Sequence, residues 1–101
     1  MLDKRALAGV IDTHIHTGPE PYRQRKFNDD ELAQDALAVK ARAIVIKSHV
    51  FETASRAQLM NYRYPDLKTF GGITLNEWMG GFNPKAVEAV FRIGGKFVWL
   101  P

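Results

Sequence analysis

The sequence predicts an α/β domain built on parallel strands. Two observations carry that expectation. Short β-branched runs alternate with longer amphipathic stretches in the order β-α-β-α-β-α-β. The links between them are short and rich in Gly, Pro and Asn. Such alternation means parallel strands joined by right-handed helical crossovers. Four strands of this kind make either a small open sheet or half of a TIM-type (β/α)8 barrel. At 101 residues the chain has room for one domain only.

Each element has its own signal. Residues 1–9 are polar and Ala-rich, a short turn or helix leading in. Residues 10–16 alternate, with Ile11, Thr13 and Ile15 on one face and Asp12, His14 and His16 on the other, which predicts a strand. Gly18-Pro19-Glu20-Pro21 stops it, and residues 19–27 read as a loop. Asn28 suits a helix N-cap, with Glu31 three residues on, and helical spacing continues to about Arg42. Ala43–Lys47 is a short buried strand that ends near His49. Thr53 can cap a second helix that runs through Ala54, Ala57, Leu59, Met60 and Tyr62 until Tyr64-Pro65-Asp66 ends it. Residues 67–75 read as a third strand, weakened or kinked by Gly71-Gly72. Asn83 and Pro84 open a third helix as N-cap and first helical residue, and Gly94-Gly95 closes it. Residues 96–100 form the fourth strand.

Composition narrows the function. There is no cysteine, so disulfides and thiolate ligands are excluded, and a reducing, cytoplasmic location is expected. Met1-Leu2-Asp3-Lys4-Arg5 is too charged and too short to lead a signal peptide. No apolar run approaches the roughly 20 residues of a membrane span. The net charge of +3 comes from scattered residues, so a nucleic-acid partner is not expected. The local basic cluster is Arg23, Arg25 and Lys26, which is either a solvated loop or a contact for an anion.

Three constellations carry chemistry. His14 and His16 sit two residues apart, with Cα atoms about 6.6–6.8 Å apart along a strand. Two imidazoles at that spacing can converge on one metal ion from a strand end, where parallel α/β folds place their sites. Asp12, one step deeper, is either a further ligand or a group that orients an imidazole. The competing reading is an exposed strand with solvated histidines. Lys47 and His49 share a face at the end of the second strand, and adjacent strands lie about 4.8 Å apart. They are therefore expected beside His14 and His16. Lys47 is a charge partner for Asp12, a contact for a substrate anion, a carbamylated metal bridge, or a lysine that merely snorkels at a strand end. Asn76, with Gly80 and Gly81, follows the third strand at the same rim. The glycines permit close approach of a ligand, or they make a turn and a helix cap. Trp78, Phe82 and Trp99 read as packing residues that, with Tyr22 and Phe51, can line a pocket mouth.

On these residues the chain resembles the metal-dependent hydrolases of the amidohydrolase superfamily, whose first strand carries a His-x-His signature like "IDTHIHTGP". More narrowly, "IDTHIHTGP", "IVIKSHVFETASRA" and "LNEWMGGFNPKAVEAV", followed by "KFVWLP", look like one uncharacterised family within it, from about residue 9 to residue 101. The resemblance implies a (β/α)8 barrel and a divalent metal, zinc first and manganese or iron as alternatives. It also implies a metal-activated water that attacks an amide or ester of a small-molecule substrate. His14 and His16 are carried over as first-strand ligands, with His49 as a third metal ligand and Lys47 and Asp12 as catalytic residues. Arg23, Asn76, Gly80 and Gly81 are expected at the substrate. The polymerase and histidinol phosphatase family, which acts on phosphoesters, opens with a similar motif. Such barrels take about 250 residues. The expectation is therefore a half-barrel with an incomplete site, covered by homo-oligomerisation through open sheet edges. A non-catalytic half-barrel scaffold is the rival reading.

Overall fold

A computed structural model describes residues 4–101. The first three residues, with the part of the lead-in that falls on them, lie outside the described residues. The elements are β1 (Ile11–His16), α1 (Asp29–Ala38), β2 (Ala43–Lys47), α2 (Ala54–Arg63), β3 (Lys68–Phe70), β4 (Gly72–Thr74), α3 (Pro84–Arg92) and β5 (Phe97–Trp99). Short 3-10 turns precede β1 at Lys4–Leu7 and follow β4 at Glu77–Met79. The chain is thus a small mixed α/β domain with parallel strands and three α-helices. Among the described residues no helix is long and apolar enough to cross a membrane.

All strand pairs are parallel, in the orders β1-β2-β3 and β4-β5. The third strand expected from the sequence is therefore two strands. Gly71 ends pairing with β2, and Gly72 starts pairing with β5. Both glycines are required by close approach. A Cβ on Gly71 would lie 2.3 Å from the Thr53 carbonyl oxygen, and one on Gly72 would lie 2.0 Å from that of Phe97.

The three helices pack against one side of the strands. Ala33 and Ala36 of α1, Ile44 and Ile46 of β2, Ala57 of α2 and Leu67 form one apolar cluster, with Ile15 against it. Ala54, Ile73, Leu75 and Val90 form a second beneath α2 and α3. Small residues on the helices let the strands' β-branched side chains fill the space between layers. On the opposite side, register aligns Val45 with Phe70, Gly72 with Phe97, and Thr74 with Trp99.

Helix ends follow the sequence in part. Asn28 caps α1 through a full capping box with Glu31, and Asn83 caps α3 by accepting from the Ala86 N–H. The first helix stops at Ala38, short of Arg42. Lys40 turns left-handed (φ 57°), and the N–H groups of Lys40 and Ala41 bond back to Leu37 and Ala36, which satisfies the terminal carbonyls. Thr53 makes no cap bond to α2. Glu52 accepts from the Ser55 N–H instead. The Thr53 hydroxyl, fully buried, donates to the Ile46 carbonyl at 2.7 Å and accepts from the Gly72 N–H at 2.9 Å.

Thr53→Val keeps the side-chain shape and removes that bridge. It is expected to destabilise the domain by about 1–3 kcal/mol, because two buried backbone groups lose a partner; Thr53→Ser should retain most of the stability. Urea unfolding of both variants checks this, and equal stabilities would refute the bridge. Lys40→Gly relieves a left-handed residue that carries a Cβ, with an expected gain of about 1 kcal/mol by the same measurement.

Candidate functional site

The C-terminal ends of the strands converge with the loops that follow them. β1 reaches this end through an irregularity. Asp12 pairs with Ile44 and Ile15 with Ile46, so two β1 residues stand against one of β2. Such a bulge shifts the alternation by one residue. His16 consequently aligns with Lys47, on the side away from the helices, while Asp12 aligns with Ile44 on the helix side. This corrects the expectation that Asp12 shares a face with the histidines. Asp12 lines a cleft with Ile15, Leu32 and Ile44. Its carboxylate accepts from the His14 backbone N–H at 3.1 Å, within the bulge.

The three histidines do gather. The Nε2 atoms of His14 and His16 lie 3.0 Å apart. The His49 ring stacks on His16, with centroids 4.7 Å apart and planes 21° from parallel. Two nitrogens on one divalent ion, each at about 2.0–2.1 Å and about 90–110° apart, are separated by about 2.8–3.4 Å. The His14–His16 pair meets that geometry. The His49 ring faces that of His16 and is not grouped with the pair as a third ligand. Among the described residues no group of three or more His, Cys, Asp or Glu side chains is arranged to hold a metal ion. The fit is to a two-histidine seat.

Electrostatics keeps His16 unprotonated. Burial, then the charge of Arg25 and the neighbouring His49 and His14 rings, lowers His16 from 6.5 to about 4. His49 is lowered by desolvation and then by Lys47. Neutral imidazoles are the form that donates to a metal. The other ring nitrogen of His16, Nδ1, is buried and makes no hydrogen bond.

Beneath the seat, a bidentate ion pair holds the end of β1. Arg56 of α2 donates through Nε and Nη2 to both oxygens of Asp29, at 2.8 Å each. Nη2 also reaches the Thr17 hydroxyl at 2.9 Å. The residue after His16 is thereby tied to the start of α1 and to α2.

Beside the histidines lies a cleft of about 270 Å³. His49, Asn76 and Arg23 line it, together with Tyr22, Trp78 and Glu20. Asn76 donates its amide to the His49 carbonyl at 3.0 Å, so it positions that loop. The Tyr22 and Trp78 rings meet at 5.5 Å. Glu20, which the sequence analysis did not single out, is ion-paired to Arg25, with only 4% of its side chain exposed. Burial raises its carboxyl, but the bond and charge of Arg25 outweigh this and hold it below its ordinary value. The one signal for Glu20 in the sequence was its place between two prolines just past the His-x-His segment.

Lys47 and the glycine pair are placed differently. Lys47 extends its ammonium over the Trp99 ring, 5.0 Å from the centroid, which links the ends of β2 and β5. Gly80 and Gly81 have positive φ, and their N–H groups bond to Glu77 and Asn76 within the turn. Those donors are engaged, which is the turn-and-cap reading of the pair.

These features define a parallel α/β domain whose polar chemistry is concentrated at the C-terminal strand ends. A family model matches residues 9–101, and the chain belongs to that family, a family of unknown function designated DUF6282. No curated protein and no solved structure matches it.

His16 should titrate near pH 4 in the metal-free protein, as read from its ring resonances by NMR. The sign follows from linkage. The unfolded chain binds this proton below its ordinary value of 6.5, and the folded chain binds it only near 4. The contribution is therefore fully present above about 6.5 and lost as pH falls toward 4. His16→Gln should flatten the stability profile across that window; an ordinary midpoint for His16 would contradict the assignment.

Proposed function

We propose that this domain is the metal-bearing portion of an amidohydrolase-like hydrolase, with His14 and His16 as ligands of a divalent ion, zinc in the first instance. The observation that carries this reading is the 3.0 Å approach of two imidazole nitrogens at the end of a parallel strand. The element order supports it. Counting β3 and β4 as one kinked strand, neighbours in the sheet are neighbours in the chain, as in half of a (β/α)8 barrel.

A divalent ion bound there supplies Lewis acidity and a water of lowered pKa. The chain's own residues do the rest. Arg56 and Asp29 hold the β1 terminus in place through Thr17. Lys47, fixed on Trp99, and the Arg25–Glu20 pair set the charge around the rings. Asn76 holds the His49 loop, and the adjacent cleft receives an amide or ester substrate.

A second reading, a scaffold that keeps the rim without turnover, is favoured by one observation. Among the described residues the ligand set stops at two histidines. Remaining positions on the ion would then be filled by water, substrate or groups outside these residues.

Calorimetric titration with zinc tests the proposal. Binding is expected in the native chain and a loss of at least tenfold in affinity for His14→Ala combined with His16→Ala. Unchanged binding in the double variant would remove the assignment. Ester and amide hydrolysis, with and without chelator, separates the readings: metal binding without chelator-sensitive turnover favours the scaffold.

A further inference from the structure

The cleft beside the histidines has a charge pattern that the metal seat does not explain. Two arginines and one carboxylate line it. Arg25 is paired to Glu20, and the side chains of both are largely buried, 14% and 4% exposed. Arg23 has no ion pair or hydrogen bond among the described residues. Of the other nearby cations, Lys47 is held over Trp99 and does not line the cleft. One guanidinium, with one positive charge and a planar fork of donors, is therefore left facing the cleft.

The rest of the wall is aromatic and amide. Tyr22 and Trp78 form a tilted pair at the mouth, and both remain substantially exposed, 71% and 48%. Exposed aromatic faces beside an uncompensated guanidinium match a flat group that carries an acid. The volume of about 270 Å³ lies below the roughly 300–1,000 Å³ of pockets for drug-sized ligands, so the ligand is small. A single compensating charge matches a monoanion better than a phosphate dianion.

We infer that this cleft is a binding subsite for a small planar carboxylate, with Arg23 receiving the carboxylate and the Tyr22–Trp78 pair stacking on its ring. The inference rests on the metal-seat reading only in calling that ligand a substrate. A substrate held in this way lies beside His49, which lines the same cleft and stacks on His16.

The test uses the full chain, with chelator present, and benzoate, benzamide and phenyl phosphate as probes. Binding is followed by backbone amide NMR shifts and Trp fluorescence. Benzoate is expected to shift the resonances of residues 22–25 and 76–78 and to bind at least tenfold more tightly than neutral benzamide. Arg23→Gln, an exposed change that leaves the fold intact, should abolish that preference, and Arg23→Lys should restore part of it. Equal binding of benzoate and benzamide, or benzoate binding unchanged in Arg23→Gln, would overturn the inference. Phenyl phosphate binding more tightly than benzoate would overturn the carboxylate in favour of a phosphoester. Because no metal is present, a failed zinc titration leaves this result untouched. A failure here likewise leaves the histidine assignment standing.

Discussion

The constraint on which the rest of the structure depends is the meeting of Thr53 with the kinked third strand. One buried hydroxyl joins the carbonyl of Ile46 to the N–H of Gly72, and the backbone N–H of Thr53 bonds to the Gly72 carbonyl. The approach is so close that no side chain fits at Gly71. Because the strand bends there, its first half pairs with β2 and its second half with β5. That handover brings the loop after β2 beside the loop after β4. Thr74 then bonds the Ser48 carbonyl and Asn76 the His49 carbonyl. The histidine nearest the cleft is thus positioned by a chain of contacts that begins in the core.

A second anchor works on β1, which among the described residues has a strand neighbour on one side only. Edge strands are weakly held by backbone pairing alone. Here the end of the strand is fastened by Arg56 and Asp29 through Thr17, which is buried. Partly buried ion pairs seldom add much net stability, but breaking one leaves a charge uncompensated. Their effect is on geometry: His16 is fixed one residue before a tied position. Desolvation and nearby positive charge then keep its ring neutral. The same features that make the ring a poor base leave its lone pair available to a metal.

How far the site was legible in the sequence depended on the range of the interaction. His14 and His16 were found because a spacing of two on a strand is local. The bulge includes His14 itself, and the two rings still meet beyond it. Asp12 was misplaced because it lies before the bulge, and strict alternation carries no record of an inserted residue. His49 was found from the rule that parallel strands end at one rim. Its stacking on His16 is a torsional outcome that no spacing encodes. Glu20 escaped notice because its role comes from the folded path of residues 19–27, which bring it to Arg25 and the histidines. Gly80 and Gly81 lie near the rim as expected, yet their amides close the turn.

By itself the sequence determined the parallel α/β architecture, the three helices and the Asn caps of the first and third, the break at Gly71-Gly72, and the pairing of two imidazoles at a strand end. These follow from periodicity, capping chemistry and steric limits that act within a few residues. Only the tertiary structure decided that the Thr53 hydroxyl serves the strands and not its helix, that Lys47 rests on Trp99, and that Arg23 is left without a partner among the described residues. Each of those outcomes is a competition for partners between segments distant in the chain. The winner is set by which polar groups the packed layers leave within reach.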